Sequence, residues 1–441
     1  MKRRTFLVAL AGGAVFAWWL KPGDQGAPYT PYFQALNRLL REQGPGRPVV
    51  LIDRQRLAAN CERLIKALPT GRALRIVAKS LPSLPLIREV MALTGSHRVM
   101  VFHQPFINAL AEAEPDCDLL LGKPMPVNAA ALFYKVFYEV FYKESSQKPA
   151  GERFDPQRQL QWLIDTRERL SEYLRLAQGL HQRLRVNLEI DVGLHRGGLT
   201  DPAQLDELIA IIHAHPQHLE LAGLMGYDAH VGKLPAIVES RQQSHRKAQV
   251  AYQGFIDHLY RRAPHYRDRP LTFNGAGSPT ILLHGDETPL NELSAGSCLL
   301  KPSDFDLESL SAFQPAVFVA APVLKHLTGL HLPGPLPVGQ AWALWNPNRR
   351  ETYFIYGGYW KATPVSPAGI TANKLYGVST NQMMYNGSPA SALTTGDMIF
   401  FRPTQSESVL LQFGNLLALG PARHGDFRVH GAWAPLPQGA D

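Results

Sequence analysis

The sequence predicts an α/β protein in which a (β/α)8 barrel of the TIM type precedes a smaller all-β domain. Eight short apolar runs alternate with helical stretches, as is typical of parallel βαβ units that close into a barrel. After about residue 313, short strands are separated by Gly, Pro and Asn turns instead. A chain of 441 residues with 45% hydrophobic content can supply two cores. The eight runs are residues 74–78, 98–102, 118–122, 160–164, 185–191, 219–227, 271–274 and 292–300.

Two elements precede the first barrel run. The spacing predicts a helix over residues 32–42 and a strand at 49–53. This strand is one more than an eight-stranded barrel holds, so we expect it to pair with the other domain. The predicted domains are an export signal and linker (1–30), the barrel (31–315) and the β-domain (316–441). The strands predicted in the β-domain are residues 316–324, 340–345, 352–356 and 396–401.

An insertion at residues 123–159 interrupts the alternation of strands and helices. Within it, residues 133–143 contain three Phe-Tyr pairs, which are too many aromatic side chains for one helix face. Packing against the barrel or against a second subunit explains them best. A bound partner or a membrane contact is the alternative.

Charge and cysteine content exclude several classes of protein. The net charge of +8 is modest for this length, and the basic residues are scattered without the aromatic-basic pattern of a nucleic-acid platform. Cys61, Cys117 and Cys298 lie far apart with no CxxC pair. The sequence therefore predicts neither a disulfide framework nor a thiolate metal cluster.

The N-terminus has the pattern of an export signal. Arg3 and Arg4 precede an apolar stretch at residues 6–20, which is short for a membrane span. The arginine pair followed by Thr-Phe-Leu is similar to the twin-arginine signal, which serves proteins exported already folded. We therefore expect a periplasmic protein. Residues 15–17 form a weak cleavage site, so an uncleaved anchor to the inner membrane is one alternative, and an ordinary signal for unfolded chains is another.

Lys79 directly follows the apolar run Ile76-Val77-Ala78 of the first barrel strand. Burial disfavours the charged form of an amine, lowers its pKa and makes it a candidate to form an imine with a carbonyl compound. The alternative is a lysine that extends into solvent at the end of a strand.

Other polar groups follow further barrel strands, at the end where barrel active sites collect. Arg196 follows the fifth run, and Tyr227 and His230 follow the sixth. Segments 275–280 and 296–297, after the seventh run and in the eighth, combine glycine with serine and leave backbone N–H groups open to a phosphate. Each Gly-Ser loop by itself is also compatible with a plain turn. A lysine, an arginine, a histidine and a phosphate cradle at one rim indicate a cofactor site.

Four blocks of sequence resemble the fold-type III pyridoxal-phosphate (PLP) enzymes. They are Ile-Val-Ala-Lys-Ser at 76–80, Glu-Ile-Asp-Val-Gly-Leu-His-Arg-Gly-Gly at 189–198, Gly-Tyr-Asp-Ala-His at 226–230 and Glu-Leu-Ser-Ala-Gly-Ser at 292–297. The chain is most similar to the D-threonine aldolase and D-serine dehydratase branch, which shares its barrel with alanine racemase. The resemblance covers roughly residues 45–420. It implies a C-terminal β-domain that completes the site, and commonly a homodimer.

The resemblance also implies a role for each rim residue. Lys79 would carry PLP and then act as acid and base at Cα of the substrate. His230 and Tyr227 would flank the cofactor ring. Arg196 would face the cofactor or the substrate carboxylate, because a guanidinium forms strong hydrogen bonds with a carboxylate. The residues that would hold the phosphate are Gly277, Ser278, Gly296 and Ser297.

The chain departs from this branch at the metal site of the C-terminal domain. The related pattern is Pro-x-His-x-Cys or Pro-x-His-x-Asp, with an earlier Glu-His pair. In this chain Gln405 and Glu407 occupy the two ligand positions after Pro403. By a looser alignment, Asn381-Gln382 occupies the position of the earlier Glu-His pair. Amide oxygens replace imidazole poorly toward zinc, so we expect no bound metal. Polarisation of a substrate β-hydroxyl then has no obvious agent.

These observations predict an exported PLP enzyme that acts on amino acids, in the D configuration, as a lyase of the aldolase or dehydratase type. A metal-independent racemase is the first alternative, with Tyr376 or Tyr385 as the second base opposite Lys79. A PLP-binding protein without turnover is the alternative from another class.

Overall fold

The computed structural model describes residues 21–141, 153–232, 237, 239–330, 338–375, 377–407, 409–422 and 426–439. The chain forms two compact units. The sheet unit joins the N-terminal part of the chain, up to Gln55, to Val317–Ala432, and the barrel unit comprises Arg56–Ala316 with Trp433–Asp441. The predicted division is therefore wrong for residues 31–55, which belong with the sheet because their strand pairs there.

The sheet unit begins with helix α1 (Pro31–Gln43) and strand β1 (Val49–Asp53). Proline at the first helical position suits the start of α1, and the amide of Gly44 donates to the carbonyl of Leu40 at its end. All five residues of β1 are buried, as expected for a strand that is covered on both faces.

The barrel unit contains a closed barrel of eight strands, as the sequence predicts. Neighbouring strands are parallel, and the first closes on the last, with Ala73 opposite Glu292 and Ile76 opposite Ala295. The strands are β2 (Ala73–Val77), β3 (Arg98–Val101), β4 (Asp118–Leu121), β5 (Leu160–Ile164), β6 (Leu184–Glu189), β7 (Leu219–Gly226), β8 (Thr272–Gly275) and β9 (Glu292–Ala295). The helices are α2 (Arg54–Ala67), α3 (Leu84–Thr94), α4 (Gln104–Ala113), α5 (Val127–Val136), α6 (Pro156–Gln159), α7 (Arg167–Leu180), α8 (Leu205–Ala214), α9 (Arg241–Arg262) and α10 (Ser297–Leu300).

The eighth run is shorter as a strand than the sequence suggests. The backbone leaves strand geometry at Gly296, and helix α10 begins directly after it. The predicted strand at 292–300 is thus a four-residue strand followed by a four-residue helix.

A charged layer occupies the barrel interior. Arg75 on β2 is fully buried, and its Nε and Nη2 lie 2.5 and 2.9 Å from the two carboxylate oxygens of Glu292 on β9. Its Nη2 also lies 2.5 Å from Oδ1 of Asp118 on β4. Burial by itself would lower the pKa of Arg75, but the two carboxylates outweigh it and raise the pKa. The layer thus links strands that are distant in the sequence.

The rest of the sheet unit consists of short strands and one helix. The strands are β10 (Val317–Thr328), β11 (Glu351–Tyr356), β12 (Ala362–Ser366), β13 (Thr371–Ala372), β14 (Gln382–Gly387), β15 (Met398–Pro403), β16 (Leu416–Pro421) and β17 (Phe427–Trp433), and the helix is α11 (Val338–Trp345). β1 pairs antiparallel with β10 and parallel with β16, which confirms that the extra strand belongs to the second domain. The predicted strand at 340–345 is wrong, because Gln, Ala and Leu there favour a helix.

The core of the sheet unit lies between α1 and the sheet. Leu36, Leu39 and Leu40 of the helix pack in one cluster with Leu51 of β1 and Phe400 of β15. Helix α1 therefore covers the sheet through the apolar stripe that its sequence predicts.

The aromatic insertion packs against the barrel in its described part. Phe133 and Tyr134 of α5 are buried, and Nε1 of Trp162 on β5 donates to the Tyr134 hydroxyl at 2.9 Å. The insertion between residues 142 and 152 and the export signal at 1–20 lie outside the described residues. Among the described residues no helix is both long and apolar enough to cross a membrane. Periplasmic location, membrane tether and homodimer stay predictions.

Candidate active site

Lys79 lies in a single 3-10 turn, Ala78–Ser80, that directly follows β2. Its neighbours Ala78 and Ser80 are buried, but Lys79 itself is exposed. Its Nζ lies 4.8 Å from the centroid of the Phe102 ring, which directly follows β3. The amine is therefore at the barrel rim as predicted, yet it is not buried as expected, because the turn separates it from the apolar strand.

Contacts next to Lys79 join the first barrel strand to the last. The hydroxyl oxygens of Ser80 and Ser297 lie 2.8 Å apart. A Cβ on Gly296 would lie 2.7 Å from the carbonyl oxygen of Val77, so only glycine permits this approach of the two strands. Two of the four predicted phosphate residues thus lie directly beside the lysine turn.

The same rim continues from β9 to β8 and β7. The Ser278 hydroxyl oxygen accepts from the amides of Gly296 and Cys298 at 3.3 and 3.0 Å. A Cβ on Gly277 would lie 2.6 Å from Cε2 of Tyr227, so the loop after β8 packs directly on that ring. The four predicted phosphate residues and Tyr227 therefore form one continuous run of contacts.

Arg196 completes this run on the loop after β6. Its guanidinium carbon lies 5.1 Å from the centroid of the Tyr227 ring, a cation–π distance. Asp191 shapes the loop, since its Oδ1 accepts from the amides of Gly193 and His195 at 2.9 and 3.0 Å, and its Oδ2 faces Nδ1 of His195 at 2.8 Å. Gly193 and His195 have φ of 113° and 53°, conformations that need such support.

Replacing Asp191 by alanine should release this loop and weaken PLP binding by about tenfold or more, because its carboxylate accepts two backbone hydrogen bonds and a hydrogen bond to a charged group contributes about 1.5–3 kcal/mol. Asp191→Asn retains an oxygen acceptor for the backbone amides and should lose less. Asp201→Ala is the matched control, because that side chain caps an exposed 3-10 turn of the same unit. Equilibrium titration with PLP, followed by fluorescence, measures the effect. Equal affinities for the two alanine variants would contradict the prediction.

His230 lies in the 3-10 segment Ala229–Gly232 after β7. Its ring packs on the loop after β6, since a Cβ on Gly193 would lie 2.9 Å from its Nε2. Its Nδ1 is buried and has no hydrogen-bond partner among the described residues. Burial lowers the pKa of His230, against the charges of Asp228 and Asp191, so that the ring is neutral near pH 7. A neutral imidazole can flank an aromatic cofactor without adding charge.

The residues predicted for the C-terminal domain lie in the sheet unit. Tyr385 on β14 is buried, and its hydroxyl donates to the carbonyl of Gly358 at 3.4 Å. Burial raises the pKa of Tyr385 to about 12, which opposes its use as a base. Tyr376 lies outside the described residues. Gln405 is exposed, and it and Glu407 belong to no cluster of metal-ligating side chains in the described part of the chain.

A buried polar cluster that the sequence does not predict lies next to the rim residues. Asp228, within the Gly-Tyr-Asp-Ala-His block, comes together with His245 of α9 and His284. Burial alone would raise the pKa of Asp228, but hydrogen bonds from His284 and Thr280 lower it. Burial and the neighbouring His284 lower the pKa of His245, although Asp228 and a hydrogen bond to the Leu283 carbonyl would raise it. No local pattern in the sequence marks this cluster, because His245 and His284 follow Asp228 far along the chain.

The rim residues fit the cofactor that the resemblance implies. Gly277 and Gly296 stand where a Cβ would clash with Tyr227 and with Val77, so only glycine lets the loops after β8 and β9 pack together at this rim. The buried, unpartnered Nδ1 of His230 is a polar atom that a bound group can satisfy. Lys79 supplies the amine. The donor set is therefore that of a PLP site.

Comparison with known proteins agrees with this geometry. The barrel and its rim define a PLP-dependent enzyme of fold type III that acts on amino acids. The chain belongs to the alanine racemase N-terminal domain family, which matches residues 52–304, more than half of its length. No curated protein matches the sequence.

Several solved structures share the fold across both units. D-threonine aldolase from Filomicrobium marinum is 16% identical, with 88% of this chain and 96% of that one covered at a TM-score of 0.63. D-threo-3-hydroxyaspartate dehydratase from Delftia sp. HT23 is 16% identical, with 88% of this chain and 97% of that one covered at a TM-score of 0.60. Alanine racemase from Bacillus anthracis is 13% identical, with 88% of this chain and 97% of that one covered at a TM-score of 0.63. At these identities the likeness establishes the fold alone.

Proposed function

We propose that the chain binds PLP and acts as a lyase on D-amino acids, in the manner of D-threonine aldolase or D-serine dehydratase. The observation that carries this proposal is the run of contacts at one barrel rim, from Ser80 beside Lys79, through Ser297 and Ser278, to Tyr227 and Arg196. The names of two similar structures, an aldolase and a dehydratase of D-amino acids, support the choice of enantiomer and reaction type.

Each rim residue has a task in this chemistry. The cofactor, when bound, supplies a ring that delocalises the electron pair left at Cα of the substrate. In dehydration, the Nζ of Lys79 would remove the Cα proton while the β-hydroxyl leaves as water. In aldol cleavage, the β-hydroxyl loses its proton, the Cα–Cβ bond breaks to release the aldehyde, and the same Nζ would deliver a proton to Cα. Arg196 offers a fixed guanidinium to the substrate carboxylate, and its contact with Tyr227 holds it in place. Gly277, Ser278, Gly296 and Ser297 would hold the phosphate of the cofactor.

The choice of a lyase over a racemase rests on Tyr385. A racemase needs a second base on the opposite face of the substrate. Tyr385 is buried, its hydroxyl is hydrogen bonded to Gly358, and its pKa is raised to about 12. These properties make it a poor proton acceptor at neutral pH.

A metal-independent racemase is the second candidate, and one observation favours it. Gln405 places an amide where the related lyases carry imidazole, so the β-hydroxyl of a substrate lacks the ligand set that would polarise it through zinc. Removal and return of the Cα proton need no such group.

Assays of the purified, PLP-loaded protein with D- and L-threonine, serine and alanine test the proposal. The lyase predicts aldehyde with glycine, or a keto acid, from the D enantiomers only. A racemase would instead interconvert D- and L-alanine with exchange of the α-proton for solvent deuterium. A protein that binds PLP yet gives neither result with any substrate would be a binding protein and would overturn both candidates.

A further inference from the structure

The cluster of Asp228, His245 and His284 has the composition of a metal site. Nε2 of His284 lies 3.3 Å from Oδ2 of Asp228, and Nδ1 of His245 lies 3.9 Å from the same oxygen. One ligand atom from each residue lies within 4.8 Å of the other two, and all three residues are buried. Tetrahedral Zn²⁺ with ligand bonds of about 2.0–2.1 Å places its donors about 3.3 Å apart. Small inward shifts of the imidazoles therefore suffice.

The atoms that would not bind a metal already have partners. The second oxygen of Asp228 accepts from the Thr280 hydroxyl at 2.7 Å. The other ring nitrogen of His284, Nδ1, lies 3.0 Å from the hydroxyl oxygen of Thr288. Partners of this kind fix the orientation of ligating carboxylates and imidazoles, and they support metal sites in general.

His245 provides an independent indication. Its side chain is about nine-tenths buried, and its Nδ1, the atom that faces Asp228, makes no hydrogen bond of ordinary geometry in the described part of the chain, although the nearby Leu283 carbonyl favours a proton on the ring. Its Nε2 lies 3.0 Å from the side-chain nitrogen of Gln249, and rotation of that amide would place its oxygen there instead. With the oxygen toward Nε2, that nitrogen carries the proton and the lone pair of Nδ1 points to the cluster. A buried nitrogen without a partner is costly unless a ligand completes it.

Space for a further ligand adjoins the cluster. A cavity of about 10 Å³ is lined by residues that include Asp228, His284 and Gln249. This is about the volume that one water molecule requires. Two imidazoles, one carboxylate and one water make a common four-coordinate zinc environment.

We propose that Asp228, His245 and His284 bind a divalent transition metal, with Zn²⁺ as the fitting ion. This departs from the sequence-based expectation of no metal, which considered only Gln405, Glu407 and their neighbours. The site is independent of the proposed reaction. The metal would connect the segment after β7, helix α9 and the segment after β8, which also carry His230 and the Gly277–Ser278 loop. Its role is therefore to hold the cofactor loops in place.

The test measures zinc in the full-length, PLP-loaded protein after dialysis against limiting Zn²⁺, with Mg²⁺ in excess. We expect about one zinc per chain, and an affinity at least about 100-fold weaker in His245→Gln and in His284→Gln, because removal of a ligand exceeds the effect of losing a supporting residue. His213→Gln is the matched control, since that histidine of the barrel unit bonds to Tyr266 instead of a carboxylate. Equal zinc content in wild type and His245→Gln, with both folded by circular dichroism, would overturn the site.

A second measurement needs no variant and so covers the case in which the substituted proteins do not fold. X-ray absorption at the zinc edge of the wild-type protein counts imidazole ligands directly. The proposal requires two imidazoles with oxygen donors. Zinc bound by thiolate, or with fewer than two imidazoles, or absent altogether, would overturn the site without any bearing on the reaction that Lys79 supports.

Discussion

Replacing Lys79 by alanine should abolish the yellow colour of the PLP-loaded protein and lower its activity on any amino acid by at least about 10³-fold. The amine is the group that bonds the cofactor, and it is also the base at Cα. Lys79→Arg keeps the positive charge but should fail equally, because a guanidinium does not give up its proton. Absorbance after reconstitution and single-turnover assays measure the two losses separately.

Lys123 offers a matched control for this experiment. It is also exposed and lies just beyond a barrel strand, β4, so Lys123→Ala removes an amine from a comparable position. This variant should keep colour and activity. Borohydride reduction of the wild type, followed by peptide mapping, should place the pyridoxyl group on Lys79. Recovery of the label on Lys123 or on another lysine would refute the assignment of the active site.

The sequence revealed the barrel because each parallel strand is a local signal. A short apolar run between helical stretches marks a strand regardless of what it later pairs with. The rim residues Lys79, Arg196, Tyr227 and His230 could be identified in the same way, since each lies in the segment that follows its strand in the chain. Their coming together then follows from barrel topology.

The parts that could not be predicted depend on contacts between distant segments. The exposure of Lys79 depends on the turn after β2, and the Ser80–Ser297 contact depends on closure of the barrel. In the sheet unit, β1 pairs with β10 and β16, which come from the far end of the chain. The grouping of His245 and His284 around Asp228 likewise has no local pattern. The burial of Arg75 could not be predicted either, because an arginine next to an apolar run usually marks the exposed end of a strand.

Replacing Arg75 by methionine should destabilise the barrel unit by about 3–5 kcal/mol, the cost of removing one partner from a buried ion pair. Methionine keeps much of the volume but leaves Glu292 fully buried without its main partner. It also removes the donors to the carbonyls of Val99 and Asp118, at 3.2 and 2.8 Å. Urea denaturation followed by circular dichroism, with enzyme activity as a probe of the barrel, measures the loss.

The pH dependence of this loss identifies its cause. Burial alone would raise the pKa of Asp118, but Arg75 outweighs it and lowers the pKa below the ordinary value. A carboxylate with a lowered pKa in the folded state stabilises the protein above its unfolded pKa, and this contribution disappears as the pH falls through the folded pKa. The difference in stability between wild type and Arg75→Met should therefore be largest near pH 7 and should shrink below about pH 4.

Arg98→Met is the control that separates burial from charge. Arg98 also pairs with Glu292, at 2.7 Å, but about half of its side chain (47%) is exposed. Water already solvates its guanidinium, so its loss should cost no more than about 1 kcal/mol. Arg75 and Arg98 thus share one carboxylate and differ mainly in access to solvent. If both substitutions lower the stability by the same amount, other groups stabilise the Glu292 carboxylate, and the charged layer does not hold the barrel strands together. If only Arg75→Met is severe, the barrel that presents Lys79 depends on an arginine in its interior.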